Sequence, residues 1–166
     1  MKHSTARLGR VSKERHRSPA RETTSNITLL PSVSPAEVRS DERTDYFIRK
    51  DGVEYAGTHL LIELWGASNL GDAGFIEDTL VRGARVSGAT VLHSYMHPFG
   101  PDMGVSGVVV LAESHISIHT WPERDYAAVD IFMCGGCDPY QAVTVLKDAF
   151  TPSHVQLSEQ KRGVVG

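Results

Sequence analysis

The chain has 166 residues, 40 % of them hydrophobic, with a formal net charge of −3, which is room for one ordinary domain with a modest core. The charge is uneven: residues 1–45 carry nine Lys/Arg against six Asp/Glu (+3), and residues 46–166 carry eight against fourteen (−6). An acidic body argues against nucleic-acid binding, which rewards clustered basic charge. With no secretory pattern and no run near the roughly 20 apolar residues of a membrane span, the expected compartment is the cytoplasm, without a membrane partner.

Residues 1–45 are rich in Ser, Thr, Arg and Pro, with only Ile27 to Leu30 able to seed a core; they read as a disordered polar extension. Order is expected from Tyr46, so residues 46–166 form the domain. In Thr58 to Trp65, Leu60, Ile62 and Leu64 alternate with His59, Glu63 and Trp65, predicting a half-buried strand. Asp72 can cap a helix whose apolar stripe is Ile76, Leu80 and Ala84 and which stops at Gly88. Ala89 to His97 reads as a second strand; after a loop with Pro98, Gly100, Pro101 and Gly104, Val108 to Leu111 reads as a central one, apolar on both faces.

His115 to Thr120 places His115, Ser117 and His119 on one face and Ile116 and Ile118 on the other. Ala127 to Met133 is a further strand. Asp138 and Pro139 then supply the cap and first turn of a helix carrying Ala142, Leu146, Ala149 and Phe150, and a short strand at His154 to Leu157 closes the pattern. The order strand, helix, four strands, helix, strand predicts an α+β fold: a two-layer sandwich of a largely antiparallel sheet with two helices on one face.

The segment Glu113 to Glu123, ESHISIHTWPE, exceeds what strand patterning requires. A peptide bond preceding Ser breaks without a protease when the hydroxyl attacks the preceding carbonyl and exchanges amide for ester. Removal of the Ser114 α-proton then eliminates the Glu113 carboxylate, and the dehydroalanine left behind hydrolyses to a pyruvoyl group. Strand register puts Ser114 on the apolar face with Ile116, so the Glu113–Ser114 bond is expected in a turn. The same residues also suit an ordinary turn serine beside hydrogen-bonded sheet histidines. Cys134 and Cys137, in Cys-Gly-Gly-Cys, read by themselves as a redox pair, half of a zinc site, or two free thiols.

The segment resembles the signature of the short bacterial and archaeal family of S-adenosylmethionine decarboxylases, Glu-Ser-His followed by Ile-His-Thr-Trp-Pro-Glu. The likeness runs from about His59 to the C-terminus, through His59-Leu60-Leu61-Ile62-Glu63-Leu64, Gly88-Ala89-Thr90, Gly104 to Val110, Tyr126 to Asp130, Cys134-Gly135, His154-Val155 and Arg162-Gly163. The loop from Phe99 to Met103 is one residue longer than is usual in that family. The resemblance implies self-cleavage into residues 1–113 and 114–166, with Glu113 ending the first piece and Ser114 becoming the pyruvoyl cofactor. It implies that His119 assists the elimination, Ser106 assists cleavage and Cys134 donates a proton to the substrate carbon, leaving Cys137 without a role. Phe99 and His119 are implied to flank the adenine and Glu123 to accept from ribose hydroxyls, with no metal.

The implied reaction is Schiff-base formation with S-adenosylmethionine and loss of carbon dioxide, giving the aminopropyl donor for spermidine synthesis. A homodimer of processed protomers, with sites near its interface, is implied as well. Two rivals stand beside this reading. One is an arginine or ornithine decarboxylase using the same pyruvoyl chemistry. The other is a non-enzymatic metal-binding module built on His59, His93, His97, His115, His119 and the two Cys.

Overall fold

A computed structural model describes residues 45–101 and 103–166; the expected polar extension lies outside the described residues apart from Asp45. Eight strands and two helices follow one another: β1 (Ile48–Lys50), β2 (Val53–Tyr55), β3 (Gly57–Trp65), α1 (Ala73–Val86), β4 (Val91–Pro98), β5 (Val105–Leu111), β6 (Ser114–Trp121), β7 (Tyr126–Cys134), α2 (Pro139–Phe150) and β8 (His154–Arg162). Six of them form one antiparallel sheet in the order β4-β5-β6-β7-β3-β8. Leu60, Ile62, Ile116, Ile118, Val129 and Ile131 from one face of this sheet make a single core with Ile76, Leu80, Ala142, Leu146 and Phe150 of the helices. Among the described residues no helix lies on the other face, which is the expected two-layer α+β arrangement.

Local chemistry sets the helix ends. Asp72 accepts from the Phe75 N–H and Asp138 from the Tyr140 N–H, each satisfying a donor that a helix start leaves free. Pro139 fills a first-turn position of α2, where its missing N–H costs nothing. The two helices meet closely at Gly83, where a Cβ would lie 3.2 Å from that of Ala142.

Two elements depart from the expected pattern. The hairpin β1–β2 turns on Asp51-Gly52, with φ of +53° and +77°; Asp-Gly between short β-prone runs is the signal that identifies it. The last strand continues from Leu157 to Arg162, although Ser158 to Arg162 is wholly polar and exposed. That half of β8 lies on the sheet edge and is held by backbone pairing to β3, so its side chains leave no apolar alternation to read.

Candidate active site

The bond before Ser114 lies in a strained turn. Leu111 pairs with Ser114, so Ala112 and Glu113 form a two-residue link between β5 and β6. Glu113 has φ of +60°, a left-handed conformation that costs a residue with a Cβ roughly 1–2 kcal/mol. Ser114 lies on the helix-covered face with Ile116, as register requires, and is 8 % exposed. Its Oγ accepts from the Cys134 N–H at 3.1 Å.

Cys134 ends β7, with its side chain on the open face in alternation with buried Met133. Its thiol donates to the carbonyl oxygen of Glu113 at 3.2 Å, the carbonyl that Ser114 would attack. Burial pushes the Cys134 thiol above its ordinary value; the Ser114 contact opposes this, and the Glu113 carboxylate and Cys137 add to it. The thiol therefore stays protonated at neutral pH, the form able to donate. A cavity of about 430 Å³ opens beside this group, lined by Tyr46, Thr90, Glu113, Cys134 and Cys137 among others. Tyr46 is fixed there by its carbonyl, which accepts from the Gly135 N–H at 3.0 Å.

The remaining predicted residues gather at the other end of β6. Ser106 and His119 are register partners on β5 and β6, and the Ser106 hydroxyl lies 2.8 Å from His119 Nδ1. With Phe99, Trp121 and Glu123 they line a second cavity, of about 510 Å³. Thr120 braces it from beneath: its buried hydroxyl donates to the Leu70 carbonyl and accepts from the Val105 N–H, both at 2.7 Å. Phe99 reaches the cavity because its N–H donates to the Gly104 carbonyl at 3.0 Å and closes the loop between them at its base.

The structure thus brings Glu113, Ser114 and Cys134 together, and separately Phe99, Ser106, His119 and Glu123. It does not join the two groups within one chain. Five residues of strand separate Ser114 from His119, about 17 Å, and an odd interval puts them on opposite faces. Between the two ends, the open face carries a polar strip in which His59 Nε2 lies 3.3 Å from Asp130 Oδ1 and Ser117 donates to Asp130 Oδ2 at 3.4 Å. Burial and the neighbouring His59 push His115 below its ordinary value, against the pull of Asp130. Beside His119, Trp65, Tyr126 and Trp121 form a continuous stack with centroid spacings of 4.2 and 5.2 Å. Sequence reasoning did not anticipate Asp130, Tyr46 or Thr120; only the period-2 pattern of β7 gives a sign of the first.

Among the described residues, no three His, Cys, Asp or Glu side chains converge to hold a metal ion. No helix among them is long and apolar enough to cross a membrane.

The sequence model of the S-adenosylmethionine decarboxylase family matches residues 58–163. The S-adenosylmethionine decarboxylase proenzyme of Thermomicrobium roseum is 39 % identical over 110 residues, 66 % of this chain and 95 % of that protein. The proenzyme of Acetivibrio thermocellus is 46 % identical over 111 residues, 65 % of this chain and 89 % of its own length. The crystal structure of the adenosylmethionine decarboxylase from Aquifex aeolicus superposes with a TM-score of 0.61 at 33 % identity, covering 68 % of this chain and 94 % of that one. With the family match spanning most of the domain and relatives about 40 % identical over most of their own length, the chain belongs to the S-adenosylmethionine decarboxylase family.

Proposed function

We propose that this chain is a proenzyme that cleaves itself between Glu113 and Ser114 and then decarboxylates S-adenosylmethionine. The observation that carries the reading is the double engagement of Cys134. Its N–H holds the Ser114 Oγ and its thiol donates to the Glu113 carbonyl oxygen. Attack of the Ser114 Oγ on that carbonyl puts negative charge on the oxygen to which the thiol already donates, the arrangement of an oxyanion hole. The ester keeps Glu113 joined to Ser114 through Oγ; the later elimination opens that link, and the left-handed strain at Glu113 is then free to relax.

The residues present fit a pyruvoyl group at position 114. Its carbonyl would supply the electron sink for loss of carbon dioxide from an α-amino acid. Cys134, protonated and on the open face, would then deliver a proton to the substrate carbon. The cavity of Phe99, Trp121, His119 and Glu123 presents aromatic surface beside a carboxylate, which suits a nucleoside and its ribose hydroxyls. An arginine or ornithine substrate offers no ring to such a cavity.

The separation of the two residue groups supports a homodimer in which each site is shared. The sheet face that no described helix covers exposes Leu61, Trp65, Tyr95, Val110 and Trp121, apolar surface of the kind a partner covers. A two-fold axis makes an interface in which each surface meets the other reciprocally. Laid face to face, the Ser106–His119 pair of one copy serves the Ser114 end of the other, and the converse. His119 then takes the Ser114 α-proton across the interface.

Intact mass and carboxyl-label release test the reading together. Purified protein should consist of residues 1–113 and a pyruvoyl-blocked chain of residues 114–166, and should release label from S-adenosylmethionine much faster than from arginine or ornithine. A single uncleaved chain would defeat the processing reading, and faster release from either amino acid would defeat the substrate. The shared site has its own check. A Cys134→Ala protein mixed with a His119→Ala protein, unfolded and refolded together, should regain activity that neither has alone; no recovery in verified mixed dimers would exclude it.

A further inference from the structure

Cys137 has no part in the reading above, yet the fold holds it beside Cys134. Cys134-Gly135-Gly136-Cys137 forms a turn, the Cys137 N–H approaching the Cys134 carbonyl at 3.5 Å. Gly135 makes the turn possible with φ of +60°, and a Cβ at Gly136 would meet nothing within 4 Å, so its second half is free to tighten. A turn closed in this way brings its outer Cα atoms within about 7 Å, close to the roughly 4.4–6.8 Å span of disulfides. The two residues are the chain's full complement of cysteine, both free and partly exposed. Both line the cavity that also touches Glu113. A cavity of about 430 Å³ beside both thiols is large enough to admit a small oxidant.

We propose that Cys134 and Cys137 form a reversible redox-modification site for small-molecule disulfides, closing to an intrachain disulfide that takes the Cys134 thiol out of service. One thiol, as thiolate, attacks the reagent disulfide, forming a mixed disulfide and releasing one reagent thiol. The other cysteine displaces the second reagent thiol. Two cysteine thiols are oxidised, and the reagent takes up their two electrons and two protons. The inference rests on Cys134 as the proton donor of the proposed reaction. In the uncleaved chain the same closure removes the donor from the Glu113 carbonyl. Burial raises both thiols above their ordinary values, with Glu113 adding to the effect at each, which slows random oxidation by keeping the thiolate scarce.

The test uses the processed enzyme, equilibrated with glutathione disulfide and glutathione over a range of ratios and quenched with an alkylating agent. The 114–166 chain should become lighter by two hydrogens and resist alkylation, while decarboxylation falls at least tenfold and returns with dithiothreitol. Cys137→Ser, with Cys137→Ala as a second variant should the first fold poorly, should keep the reduced activity and show neither the mass loss nor reversible inactivation through a disulfide within the chain. The proposal is overturned if wild type never loses the two hydrogens, or if the Cys137 variants are inactivated as readily and reversibly as wild type. Absence of activity in the reduced wild type would refute the decarboxylase reading instead; the mass measurement still decides the disulfide.

Discussion

Replacing Cys134 by Ala removes the donor that lies 3.2 Å from the Glu113 carbonyl and leaves in place the backbone N–H that holds the Ser114 Oγ. The variant therefore isolates the thiol. Deleting a well-placed oxyanion donor slows acyl transfer by about a hundred- to a thousandfold. A thiol is a weaker donor than an amide or hydroxyl, so the expected loss is about ten- to a hundredfold, or roughly 1.4–2.7 kcal/mol of barrier. The measurement is the first-order disappearance of full-length chain after rapid purification, followed on denaturing gels. Cleavage should be slowed but not abolished, with Cys134→Ser recovering part of the rate through its hydroxyl. Because the donor is the protonated thiol and burial raises its pKa, this contribution should hold through neutral pH and fail only above the ordinary thiol range. A Cys134→Ala chain that cleaves at the wild-type rate would refute the oxyanion role. It would leave Cys134 to act only in turnover.

Glu113→Gly should relieve the left-handed strain. In an uncleavable Ser114→Ala background it should raise unfolding stability by about 1 kcal/mol in urea titrations, and in the cleavable chain it should slow processing. Thr120→Val keeps the shape but strips the Val105 N–H and Leu70 carbonyl of their shared partner; a loss of about 1–3 kcal/mol in stability is expected, and an unchanged denaturation midpoint would show that water replaces the hydroxyl.

Much of the fold was legible because the sheet has one covered face. Leu60, Ile62 and Leu64, like Ile116 and Ile118, alternate cleanly since each second residue meets the helices. The same alternation placed Ser114 with Ile116 and its preceding bond in a turn, both as found. The contiguity of the Glu113 to Glu123 motif hid its division. A strand rises about 3.4 Å per residue and reverses its face at each step, so five residues carry His119 to the far end and the other side. That arithmetic was available from sequence, but the pairing of Cys134 with Glu113 was not. It depends on β7 running antiparallel to β6 and ending just where the turn begins, a register set by the whole sheet.

The position of the turn also explains how the fold could survive the proposed scission. A cut after Glu113 separates β1 to β5 and α1 from β6, β7, α2 and β8. Across the sheet order β4-β5-β6-β7-β3-β8, the pieces alternate: β4 and β5 from the first, β6 and β7 from the second, then β3 from the first and β8 from the second. Three of the five strand pairings, β5–β6, β7–β3 and β3–β8, therefore join the pieces by backbone hydrogen bonds. The core is shared too, since Ile76 and Leu80 of α1 pack in one cluster with Leu146 and Phe150 of α2. The link that would break spans only Ala112 and Glu113, outside either strand, so no ladder bond depends on it. Placing that bond in a two-residue hairpin between central strands would thus let the chain gain a new terminus at position 114 while the pairing of β6 with β5 and β7 holds that terminus in place.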